Sequence, residues 1–132
     1  MKLLRVALRW QAVIWAATGA ALVLAPGWVV ESAMSQPPLG QDAWLRFTGV
    51  AAVALAAQMV LVGNRIEEHW WWSWTFALLE IASATVLVTA GVIGRPPDAA
   101  TWTWWAVGGV HALVAAVEVA ALARAGTERS PA

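Results

Sequence analysis

The sequence predicts an all-α integral membrane protein: a single domain over residues 1–132, folded as a four-helix up-down bundle with both termini cytoplasmic. Three observations lead there. Of the 132 residues, 61% are hydrophobic and only 12% charged, against about 25% charged in soluble domains. Four apolar stretches of roughly 20 residues, the length that crosses about 30 Å of hydrocarbon, alternate with breaks rich in Pro, Gly and charge. Eleven tryptophans and no tyrosine gather mostly at the ends of those stretches, where a membrane interface wets one edge of an indole and leaves the rest in grease.

The first span runs from Leu4 to Ala25. Lys2 and Arg5 resemble the start of a signal peptide, but Arg9 and Gln11 interrupt the apolar region, so we read a retained helix. "APGW" at Ala25–Trp28 ends it. "PGWVVESAM" follows as an expected short interfacial helix with Trp28 towards lipid, and "SQPPLGQD" at Ser35–Asp42 completes the loop. The second span is Ala43 to Val62; near its start Arg46 is expected to turn towards Glu31 and Asp42 at the outer rim. "GNRIEEH" leaves room only for a tight turn. Asn64 with Glu67 three residues on reads as a helix cap, and Glu67 and Glu68 fall where a helix dipole favours negative charge. His69 reads as an interfacial polar residue. The third span is Trp70 to Ile93, opened by Trp70, Trp71, Trp72 and Trp74. "GRPPDAAT" at Gly94–Thr101 separates it from the fourth, Trp102 to Ala123.

Basic residues set the orientation. Lys2, Arg5, Arg9, Arg65, Arg124 and Arg129 fall on one side and Arg46 and Arg95 on the other, which places the termini and the second turn in the cytoplasm. The tryptophans then form an inner belt, Trp70 to Trp74, and an outer one of Trp28, Trp44, Trp102, Trp104 and Trp105. Trp10 and Trp15 lie deeper.

Polar residues inside the spans carry the functional information. Glu80 and His111 both lie roughly 15 Å from their nearer helix ends, close to the midplane, and Arg9, Gln58 and Glu118 lie about 8–9 Å in from the cytoplasmic side. Such groups face the bundle interior and find partners. Three stripes of small residues, which let membrane helices approach closely, carry them: Arg9, Ala12, Ala16 and Ala20; Ser73, Ala77, Glu80 and Ala84; Gly108, His111, Ala115 and Glu118. In an up-down bundle the first helix lies beside the second and fourth, as does the third. The expectation is therefore a midplane layer, Glu80 with His111, and a second buried layer, Arg9 with Glu118 and Gln58 nearby. Each layer reads equally as packing contacts that fix register or as a ligand or proton site.

Several chemistries are excluded. Without cysteine there is no disulfide, thiol nucleophile or thiolate metal site. No P-loop, GxGxxG, HExxH or serine-nucleophile signature occurs. His111 and Glu118 are about 10 Å apart along one helix, too far to share a metal, and no paired histidines suit haem, so neither metal nor other cofactor is expected. Zero net charge points to no polyanionic partner such as nucleic acid.

"GAALVLAP" and "WLRFTGVAAVAL" resemble the first-helix ending and second-helix opening of small bacterial four-helix membrane proteins of the DoxX-like kind, through Gly19, Pro26, Arg46 and Gly49. About half the chain is covered. The resemblance implies a four-helix bundle, often a partner of another membrane protein, and transfers no catalytic residue. The Ala, Val, Gly and Arg usage, with a single Lys, resembles that of a GC-rich bacterium. The expected protein is thus a polytopic protein of a bacterial plasma membrane. Its partners are the lipid bilayer and another membrane protein or further copies of itself. Its expected role is that of a non-catalytic accessory or assembly subunit; the alternative is a binder or carrier of a small lipophilic molecule, and an intramembrane enzyme comes third.

Overall fold

A computed structural model describes residues 1–93 and 102–129. Among them there is no strand, and four helices are long and apolar enough to cross a membrane, the mark of a multi-pass membrane protein. They are α1 (Lys2–Leu24), α2 (Ala43–Asn64), α3 (Ile66–Ile93) and α4 (Trp102–Arg129). The third break, with Arg95, lies outside the described residues.

The boundaries differ from expectation at both ends of the second turn. α2 continues through Asn64, and Arg65 alone turns the chain into α3. Asn64 therefore caps nothing; the Arg65 carbonyl instead accepts the backbone N–H groups of Glu68 and His69. α3 opens as Ile66–His69, tightens to a 3-10 turn at Trp70–Trp72 and resumes as Ser73–Ile93. Here Trp70 packs against the core, while Trp71 and Trp72 stack outside with ring centroids 4.9 Å apart. At the other end of the chain, α4 runs past Ala123, because Leu122 and Ala125 remain buried there.

Two helix pairs make the bundle. α1 packs along α2, and α3 along α4; the pairs join more loosely, α1 with α4 and α2 with α3. In the first pair the backbones touch. A Cβ on Gly19 would lie 2.6 Å from the Gly49 carbonyl oxygen, and one on Gly49 2.7 Å from that of Gly19. Only glycine fits both positions. Arginines finish each end of the pair by supplying carbonyls that a helix terminus leaves without partners. Arg46, gripped by Asp42 at 2.9 and 3.0 Å, donates through Nη1 to Val23 O at 2.5 Å; Arg5 Nε donates to Gly63 O at 3.2 Å. Residue numbers thus fall along α2 as they rise along α1. Glycines also mark the second pair, where Gly108 sits against Val88 and Gly91 against Trp104.

The expected neighbours are kept, though unequally: α1 meets α4 and α2 meets α3 more loosely than the helices within each pair. α1 also reaches α3, through side chains. Gln11 Nε2 donates to Phe76 O at 3.1 Å, and Trp15 donates to Glu80. The interior behind them holds Leu4, Leu8, Met59, Ile66, Phe76 and Leu122.

The outer rim is also partly corrected. Arg46 pairs with Asp42 but not with Glu31, which is exposed. The expected interfacial helix is a single π-type turn, Trp28–Ala33, with no buried residue. Trp104 donates its indole N–H to Met34 O at 3.1 Å, fastening that loop to α4.

Candidate functional site: a midplane acid–histidine pair beside an open crevice

The α3 stripe of Ser73, Ala77, Glu80 and Ala84 is buried throughout, as is the α4 stripe of Gly108, His111, Ala115 and Glu118. Each recurs at three- and four-residue steps, so one face of each helix turns inwards and the two faces meet. Glu80 is fully buried, and its carboxylate is matched oxygen by oxygen. Trp15 Nε1–H donates to Oε1 at 2.6 Å, and His111 Nδ1 lies 2.5 Å from Oε2. The Trp15 and His111 rings meet edge to face with centroids 6.0 Å apart.

If Glu80 is ionised it only accepts, and His111 then carries a proton on Nδ1 in this contact. Nε2 is then the free nitrogen, and no hydrogen bond engages it among the described residues. The His111 ring forms part of the wall of a crevice of about 340 Å³ between α1 and α3, with Trp15, Thr18, Ser83, Val86 and Leu87. Thr18 and Val86 are exposed, so the crevice opens on the outer surface of the bundle. Its walls are apolar apart from the hydroxyls of Thr18 and Ser83 and the imidazole. No hydroxyl is hydrogen-bonded to His111 among the described residues.

The expected second layer does not form. Arg9 and Gln58 are exposed, and Arg9 makes no ion pair with Glu118 among the described residues. α1 is rotated from the expected stripe: it buries Leu4, Leu8, Gln11, Ala12 and Gly19 rather than Arg9, Ala16 and Ala20. The reason is that Gln11 and Trp15 each gain a hydrogen bond by facing α3, and Gly19 gains the close contact with Gly49. Arg9 has a stem long enough to lie along Val6, Trp10 and Val13 while its charge reaches the interface. Glu118 is fully buried, and neither of its oxygens has a partner; the same holds for Gln11 Oε1 and Ser73 Oγ. Burying an unpaired polar group costs about 1–3 kcal/mol, and an unpaired charge far more.

Trp15 and Gln11 are the residues that the sequence reading did not assign. Their signals were present: Gln11 is the one uncharged polar side chain interrupting the early apolar run, and Trp15 lies too deep for an interfacial belt. A deep indole needs an acceptor for its N–H. Seven of the tryptophans expected in the two belts are exposed, as an interfacial role requires. Among the described residues no group of three His, Cys, Asp or Glu side chains could hold a metal. Compared with known proteins, the chain matches no family model, no curated protein and no solved structure.

Proposed function

We propose that the protein binds or carries a small lipophilic molecule bearing a hydroxyl group, taken from the bilayer into the crevice beside His111. The observation that supports this reading is the combination at one point of a fastened imidazole and an apolar opening. Glu80 holds Nδ1–H, which leaves the Nε2 lone pair as an acceptor for an alcohol or phenol. The crevice, at about 340 Å³, falls at the small end of the roughly 300–1,000 Å³ usual for ligand sites. It would admit the polar head and adjoining apolar body while a longer tail stayed in lipid. If His111 gained a proton, Glu80 would balance the charge, so the same site would tolerate a change of protonation on the ligand.

Purification in mild detergent followed by lipid extraction tests this. A hydroxyl-bearing lipophile should accompany the wild-type protein and be depleted when Ser83→Phe fills the crevice. Equal recovery from both proteins would overturn the reading.

A second reading, the accessory subunit, is supported by a different observation. α3 and α4 form a groove of about 600 Å³ whose walls include Ala112, Ala116, Ala120 and Ala123. Such small residues suit a helix of another membrane protein or another copy of the chain. A likeness to DoxX-like proteins would fit this role. The two readings are compatible, since groove and crevice lie on different faces of α3.

For topology we infer an up-down bundle in a bacterial plasma membrane with both termini cytoplasmic, on the basic-residue asymmetry and on the opposed numbering within each helix pair. A reporter at the C-terminus should score cytoplasmic, and one inserted within Ser35–Gln41 periplasmic. A periplasmic C-terminus would reverse the assignment.

A further inference from the structure

The midplane pair accounts for two of the buried polar residues and leaves a second group unexplained. Gln11, Ser73 and Glu118 have no exposed surface, and together they present four buried oxygens without a partner. Register brings them close. Glu80 meets His111, Val88 meets Gly108 and Trp104 meets Gly91, so numbering on α4 falls as that on α3 rises. Seven residues back from Glu80 is Ser73, and seven on from His111 is Glu118. Both steps cover about 10 Å in the same direction along the bundle, so Ser73 and Glu118 share one level. On α1, Gln11 bonds Phe76 O one turn before Trp15 bonds Glu80, which sets Gln11 between the two levels.

Three helices therefore bring these side chains towards one level of the interior, among core residues that include Leu4, Leu8, Phe76 and Leu122. The chemistry there is one-sided. A carboxylate anion is an acceptor only, and the free atoms of Gln11 and Ser73 add an acceptor and a hydroxyl. Among the described residues no arginine or lysine side chain pairs with Glu118: Arg9 is turned outwards, Arg5 is committed to Gly63 O and lies near Glu67, and Lys2 and Arg124 are exposed. The remaining titratable groups facing the site are Glu80 and His111, which already satisfy each other. A proton and a small molecule that both donates and accepts would satisfy these atoms. Water is that molecule, and a buried water typically makes about three hydrogen bonds.

We infer that Glu118 holds a proton and shares an internal water with Ser73 and Gln11, forming a proton store one layer below the Glu80–His111 pair. The site is independent of the crevice and of any lipophilic ligand. A proton resting on Glu118 lies about two helical turns from His111, with Gln11 between as a hydrogen-bonding step.

Carboxyl infrared spectroscopy of the full chain in lipid nanodiscs tests this at neutral pH, with exchange into heavy water. A protonated-acid carbonyl band should be present, shift on exchange, disappear in Glu118→Gln and persist in Glu80→Gln. Ser73→Ala, which removes one partner and little volume, should move that band to the position of a more weakly hydrogen-bonded acid. Absence of the band from wild type, or its loss in Glu80→Gln rather than Glu118→Gln, would overturn the assignment. A band unmoved by Ser73→Ala would overturn the shared water, and that measurement stands even if Glu118→Gln fails to fold.

Discussion

Replacing Glu80 with leucine is expected to destabilise the bundle by about 2–4 kcal/mol. The change strips the acceptor from two donors in one step, Trp15 Nε1–H and His111 Nδ1–H. Each orphaned buried donor costs about 1–3 kcal/mol; the lower part of the combined range applies because a chain unfolded in lipid finds other partners. Reversible unfolding in mixed detergent would measure it. Adding His111→Leu should recover part of the loss, because one orphan disappears with its partner. Glu80→Gln is expected to behave differently. Its amide oxygen can still accept from Trp15, and its NH2 can donate to His111 once the imidazole moves its proton to Nε2. Stability should then change by less than about 1 kcal/mol, but Nε2 becomes a donor, and the site turns from accepting a hydroxyl proton to offering one. Because a hydroxyl can also accept, a retained fold with the ligand held in the reversed sense is the expected outcome. A lipophile whose oxygen only accepts, such as a ketone, should bind the variant better than the wild type.

Gly49→Val should have an effect of similar size for a reason unrelated to polarity. A Cβ there would come within 2.7 Å of the Gly19 carbonyl oxygen and 2.8 Å of a Val23 methyl group. A side chain can rotate away, but a helix backbone cannot, so α1 and α2 must separate along their contact. Overpacking of this kind typically costs 1–3 kcal/mol, and about 3 kcal/mol is expected because the obstruction is backbone and valine adds two further methyl groups. Gly19→Val should match it, since its Cβ would meet Gly49 O at 2.6 Å and Val53 as well. The same substitution at Gly109, where a Cβ meets nothing within 4 Å, should change unfolding by less than about 0.5 kcal/mol. Equal losses at Gly49 and Gly109 would show that α1 and α2 do not approach this closely.

What was legible in the sequence follows from how strongly each residue constrains its surroundings. Four spans were legible because length and apolarity in a bilayer leave few alternatives to a helix. The inward faces of α3 and α4 were legible because Glu80, His111 and Glu118 sit on stripes of small residues, and both signals choose the same side. α1 was not. Alanine lies on several of its faces, and Arg9 was taken as the buried charge when Gln11 and Trp15 were the residues with interior partners. A long arginine can reach the interface from that depth, whereas a glutamine and a deep indole cannot leave their polar atoms in lipid. The neighbour relations were legible but their inequality was not: a square bundle assumes equal contacts, while Gly19 against Gly49 draws one pair together far more tightly. The crevice beside His111 depends on where α1 crosses α3, which no spacing within a single helix encodes.

The central claim, that the Glu80-held imidazole of His111 presents Nε2 to a lipophile in the crevice, is tested most directly by photolabelling. A long-chain alcohol carrying a diazirine beside its hydroxyl would be added to the protein in lipid nanodiscs, and the adducts mapped by peptide mass spectrometry. Adducts should concentrate on Thr18, Ser83 and Val86, and those on Thr18 and Val86 should fall at least tenfold when Ser83→Phe fills the crevice. Adducts spread evenly over the lipid-facing helices, or concentrated at Ala112 and Ala116 and unchanged by Ser83→Phe, would contradict it.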